Sequence, residues 1–119
     1  MKYLLLLILL FLPACSLFSS NDGDVTARAL SYEVILRNGT SERVYYFVIG
    51  RRIAARTFWG QSLDRTYSVA KGGERRISYD EISQEEGGEE QVLVYWWMAE
   101  REGKTETPGR LNFIVVDLE

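Results

Sequence analysis

RVYYFVIG, residues 43–50, is apolar on both faces when extended, because Val44, Tyr46 and Val48 alternate with Tyr45, Phe47 and Ile49. A strand of this kind lies inside a sheet that is covered on both sides, or keeps an aromatic face for a partner. The only stretch of the domain that is more hydrophobic is QVLVYWWMA, residues 91–99. Neighbouring side chains of a strand point to opposite faces, so Trp96 and Trp97 cannot both enter one core. One of them lies on the other face, where a loop or the tether covers it or where it is exposed.

The flanking segments repeat this short-strand pattern. Residues 30–37 alternate, with Tyr32, Val34 and Leu36 on one face and Ser31, Glu33 and Arg37 on the other, and Asn38-Gly39 then offers a tight hairpin turn. Residues 53–59 and 65–69 read as weaker strands separated by Gly60. Gly72-Gly73 turns the chain into an alternating strand over 74–79, with Ile77 and Tyr79 inward. The acidic, glycine-centred SQEEGGEE of residues 83–90 reads as a loop. Residues 100–109 read as a polar hairpin loop whose Thr107-Pro108-Gly109 suits a type II turn. Residues 111–118 close the chain as a strand, with Phe113 and Val115 opposed to Ile114 and Val116. Seven strand candidates and no helix after the leader predict an all-β domain over 28–119, an antiparallel immunoglobulin-like sandwich, with a small open barrel as the alternative. The Cys-Trp-Cys core of antibody domains is absent, so the expectation concerns architecture.

The leader is MKYLLLLILLFLPAC, residues 1–15. Lys2 gives a positive start, residues 3–12 are uncharged and apolar, and small Ala14 precedes Cys15, as in a secretory signal. That run is about half of the roughly 20 residues a bilayer-spanning helix needs. The reading is a helical signal peptide over 1–14, followed by a lipidated cysteine and a flexible Ser-, Asn-, Asp- and Gly-rich tether over 15–27. Leu12, Pro13, Ala14 and Cys15 resemble the lipobox of bacterial lipoproteins, although Pro13 stands where Ala, Ser, Thr or Val is usual. The resemblance implies cleavage before Cys15, a diacylglycerol on its thiol and an acyl chain on its new amino group. It also implies, from Ser16 at the following position, the outer membrane in an organism that has two. One acyl chain anchors marginally, whereas two or three hold durably.

Composition removes whole classes of chemistry. The 119 residues carry a formal charge of −3 and are sized for one small domain. Clustered cations are missing, so nucleic acid is not an expected partner. Arg51, Arg52, Arg75 and Arg76 are the nearest to clusters and read as solvated, paired surface charge. There is no histidine, which rules out Ser-His-Asp triads, Cys-His dyads and histidine metal sites. The single cysteine is assigned to lipid, and no motif points to a carboxylate pair or a Ser-Lys dyad, so no enzyme activity is expected. Glu85, Glu86, Glu89 and Glu90 lack the ligand spacing of a calcium loop, so no metal and no cofactor beyond the covalent lipid on Cys15 is expected.

Three Trp, seven Tyr and five Phe are more than a core of this size needs. Trp59 beside Gly60, and Tyr95, Trp96 and Trp97, are therefore the candidate binding residues. The expectation is a membrane-anchored lipoprotein of the bacterial cell envelope, a non-catalytic accessory or protein-interaction domain with an envelope protein as possible partner. The alternative is a glycan or small-ligand binding module that uses exposed aromatics.

Overall fold

The computed structural model describes residues 24–118; the signal peptide, Cys15 and residues 16–23 of the tether lie outside the described residues. Nine strands follow in chain order: β1 (Val25–Leu30), β2 (Glu33–Asn38), β3 (Val44–Gly50), β4 (Ser68–Val69), β5 (Glu74–Ser78), β6 (Gln91–Trp97), β7 (Ala99–Glu102), β8 (Thr105–Pro108) and β9 (Asn112–Asp117). A four-residue helix, α1 (Arg51–Ala54), follows β3. Seven of the strands form two antiparallel sheets, in the orders β1-β2-β5 and β4-β3-β6-β9, while β7 and β8 make a separate hairpin. The fold is an all-β, immunoglobulin-like sandwich with no closed barrel among the described residues.

The alternation seen in the sequence decides which side chains meet between the sheets. Val34, Leu36 and Ile77 of the first sheet face Val44, Tyr46, Val48, Val92, Val94 and Val116 of the second, all buried. Each buried Val, Leu or Ile contributes about 1.5–3 kcal/mol relative to exposure. Ile35, on the outer face of the first sheet, is buried as well. Its cross-strand neighbours are Arg28 and Arg76, whose aliphatic stems suit covering an apolar side chain.

Several segments depart from expectation. β1 begins at Val25, inside the stretch assigned to the tether, because Ala27 and Ala29 face the core and such small side chains leave little hydrophobic signal. Tyr32 does not join Val34 and Leu36; it sits in the β1–β2 turn and is exposed. Residues 53–59 are not a strand. Gly50 donates its N–H to Ser83, and Arg51–Ala54 then winds into α1, closed by N–H bonds from Arg56 to the Ile53 carbonyl and from Thr57 to that of Ala54.

Asn38-Gly39 is not a hairpin turn. Asn38 ends β2 fully buried, and its amide donates to the carbonyls of Glu42 (2.8 Å) and Val69 (2.9 Å). Its Oδ1 accepts from the N–H and hydroxyl of Thr40. One side chain thus holds the crossover from the first sheet to the second, because Val69 belongs to β4. Residues 107–109 form no type II turn with a left-handed glycine; the β7–β8 hairpin turns at Gly103, whose φ is +65°. Gly72, at φ +72°, makes the expected turn before β5.

Candidate functional site

The outer face of the second sheet is built from the odd-numbered residues of β3, β6 and β9. Tyr45, Phe47 and Ile49 of β3 lie opposite Trp97, Tyr95 and Leu93 of β6, and Tyr95 and Leu93 lie opposite Phe113 and Val115 of β9. Five of these eight side chains are aromatic and the other three aliphatic, so the face demands cover. Over the β3 half, cover comes from the irregular segment 57–64. Trp59 stacks on Phe47 with centroids 4.6 Å apart and rings 24° from parallel, and lies 4.7 Å from Tyr95 and 5.9 Å from Trp97. The indole N–H of Trp97 donates to the Ser62 carbonyl (2.7 Å), and the Gln61 amide to the Gly109 carbonyl (2.7 Å).

Three of the four sequence candidates, Trp59, Tyr95 and Trp97, therefore come together, while Trp96 lies on the other face of β6 and packs half-buried against the core. Trp97 faces away from the sandwich core yet is only 2% exposed. The expectation that one tryptophan would leave the core holds, and of the covers considered the loop is the one used. Trp59 spends one ring face on Phe47 and stacks with Trp97, so Trp97 offers no open face while Trp59 stays half-buried.

The β9 half of the same face is left bare. Phe113 is 56% exposed, Leu111 43% and Val115 42%. Tyr95 meets Phe113 edge-on at 6.1 Å, and Leu111 and Asn112 complete a shallow hollow beside them. Among the described strands β9 is hydrogen-bonded only to β6 and so forms a sheet edge, with β1 of the other sheet packed near it. Leu118 donates its N–H to Glu90, so the even-numbered residues turn their backbone groups toward β6. By alternation Phe113, Val115 and Asp117 turn theirs outward, where no strand among the described residues meets them. The sequence NFIVVD has no Pro, Lys or inward charge, the usual devices that blunt an edge.

This surface escaped the sequence reading, which listed tryptophans and tyrosine but not Leu111, Phe113 or Val115. The signal that could have found it is strand order: a terminal strand with apolar residues on both faces exposes one of them when it ends at a sheet edge. No family model, curated protein or solved structure matches this chain.

Charge is spent locally elsewhere. Arg56 pairs with Glu85, Arg76 with Glu33 at 2.6 Å, and Arg51 donates to Gln91 at 2.6 Å. Burial works to raise the pKa of Glu89, but backbone N–H groups of Arg52, Glu85 and Ile53 and the charge of Arg52 outweigh it and hold the carboxyl below its ordinary value. Glu89 therefore ties the acidic loop to α1. Burial pushes the Tyr46 phenol up, only partly offset by Arg75, whose guanidinium lies 5.9 Å from the ring centroid. Among the described residues no three His, Cys, Asp or Glu side chains are grouped to hold a metal ion.

Proposed function

We propose that this chain is a lipid-anchored, non-catalytic interaction domain of the bacterial cell envelope that holds a protein partner close to the membrane. The anchor is Cys15 at the end of the lipobox-like leader, and Ser16 points to the outer membrane where two membranes exist. The observation that carries the docking role is the bare β9 edge, which joins an exposed apolar strip, Leu111, Phe113 and Val115, to a row of outward backbone groups. Such an edge supports a partner in two ways at once, through strand pairing and through side-chain burial. A protein partner offers both, whereas a glycan offers only ring stacking. The tether expected over 15–27, shortened because Val25 starts β1, keeps that edge within a few tens of ångströms of the bilayer.

The test is co-purification of the tagged chain from gently solubilised native membranes, beside the Cys15→Ala and Phe113→Glu variants. The expected result is a stoichiometric partner retained by the parent chain, reduced by Cys15→Ala and lost with Phe113→Glu. A domain that purifies alone, or a partner retained in full by Phe113→Glu, overturns the docking role. Full membrane retention of Cys15→Ala overturns the anchor.

A further inference from the structure

Arg43, Arg65 and Arg101 lie far apart in the chain, yet the fold brings all three to one cavity of about 560 Å³, which Tyr45, Glu42 and Glu106 also line. Arg43 immediately precedes β3, Arg65 opens the short 3₁₀ turn Arg65–Tyr67, and Arg101 belongs to β7. The three are held differently. Arg101 pairs with Glu106 at 2.6 Å. Arg43 donates through Nη1 to the Ser68 hydroxyl at 2.8 Å, and that hydroxyl donates in turn to the Arg65 carbonyl at 2.7 Å. Ser68 is buried, so this chain of bonds ties the Arg43 guanidinium to the backbone that presents Arg65. Among the described residues neither Arg43 nor Arg65 is ion-paired.

Three guanidiniums against two carboxylates leave the lining with an excess of positive charge, and Glu106 is already engaged with Arg101. Guanidinium forks match the oxygens of a phosphate in geometry and in charge. The position of the cavity narrows the source of that phosphate. Asp24, where the tether meets the domain, accepts through its carbonyl from the Gly39 N–H. In the loop that follows, the Glu42 carbonyl accepts from the Asn38 amide. The tether therefore joins the domain at the end that carries Glu42 and Arg43. A lipid anchor on that tether keeps this end of the domain near the headgroups of the bilayer, where anionic lipids attract cationic side chains.

We propose that this cavity binds the phosphate of an anionic membrane lipid through the guanidiniums of Arg43 and Arg65, with Arg101 beside them. The site gives the domain a second, noncovalent hold on the bilayer and fixes which end faces it, which a flexible tether alone does not do. The choice of a lipid as the source of the phosphate rests on the anchor reading given above; the β9 edge plays no part in it.

The experiment uses the full chain in dodecyl maltoside micelles and a phosphate-free buffer, with amide and arginine Nε–H resonances followed by NMR. The probes are short-chain phosphatidylglycerol doped into the micelles, diacylglycerol of the same chain length, and inorganic phosphate in solution. The expected result is saturable perturbation of Arg43, Arg65 and Tyr45 by phosphatidylglycerol, none by diacylglycerol, and binding of inorganic phosphate weaker by at least about tenfold, because the micelle concentrates the lipid beside the site. Arg65→Gln, at an exposed position, is expected to weaken lipid binding by at least about tenfold with the remaining resonances unmoved. Glu42→Gln, also at an exposed position, removes an opposing carboxylate and is expected to tighten binding. Cys15→Ala is expected to bind the doped lipid as the parent chain does, so a failed anchor and a failed site are told apart. Absence of saturable perturbation, an equal response to diacylglycerol, inorganic phosphate bound as tightly as the lipid, undiminished binding by Arg65→Gln, or weaker binding by Glu42→Gln each overturns the proposal.

Discussion

The indole N–H of Trp97, on β6, reaches the Ser62 carbonyl at 2.7 Å and so pins segment 57–64 over the outer face of the second sheet. With Trp59 stacked on Phe47, this contact makes a covering layer from a segment that has no regular structure of its own. The consequence is that Trp97 behaves as a core residue although it points away from the main core. Trp97→Ala should destabilise the domain by about 3–5 kcal/mol, and Trp97→Phe, which keeps most of the ring but loses the bond to Ser62, by about 1–2 kcal/mol. Urea unfolding measures both; equal costs for the two variants would contradict the role given to the N–H.

Asn38 is expected to be as sensitive as a large apolar residue. Asn38→Ala removes the partners of two carbonyls and of Thr40 in a fully buried place, which should cost about 2–4 kcal/mol. The change should also loosen the link between the sheets, read as faster amide exchange at Val69 and Thr40. A loss under about 1 kcal/mol would show that the crossover does not depend on this side chain.

Close approach rather than φ makes Gly109 irreplaceable. A Cβ there would come within 2.8 Å of the Met98 carbonyl oxygen and 3.0 Å of Glu100 Cγ, and Gly109 also donates to Met98 and accepts from Gln61. Gly109→Ala should therefore displace the β7–β8 hairpin from the loop, lower stability by about 1–3 kcal/mol, and raise the exposure of Trp59. Tryptophan emission shifted to the red, absent in Gly60→Ala where a Cβ meets nothing, is the expected signature.

Acid should release the loop held by Glu89. Because its folded pKa is lowered, its contribution is complete above the ordinary value of 4.5 and is lost as the pH falls through the folded value. Glu89→Gln should thus be less stable than the parent at neutral pH, with the difference closing below about pH 4. A difference that is independent of pH, measured by thermal unfolding across this range, would remove the carboxylate from the account.

Oligosaccharides should leave the tryptophan fluorescence of the domain unchanged, since Trp59 and Trp97 stack on their neighbours. Quenching that saturates and disappears in Tyr95→Ala would restore the sugar-binding reading.

How much of this was legible in the chain differs by kind of residue. Val34 and Leu36 could be placed from alternation alone, since the other face of that stretch is largely polar; on β3 and β6, apolar on both faces, alternation sorted the side chains into two sets without saying which set meets the other sheet. Segment 53–59 could not, because a few scattered apolar residues fit a weak strand and a covering loop equally well. Asn38 was misread for a related reason. An Asn-Gly pair carries the local signal of a hairpin, and only the long-range partner on Val69 reveals a crossover.

By itself the sequence determined the all-β class, the adjacency rule that puts Trp96 and Trp97 on opposite faces, and the absence of histidine chemistry. These are local or compositional properties, set by side-chain period and by which functional groups exist. Only the tertiary structure decided that Trp97 is the covered one and that Leu111, Phe113 and Val115 are left bare. Each depends on which strand ends up at a sheet border and where a loop comes to rest, and both are settled by contacts between residues tens of positions apart.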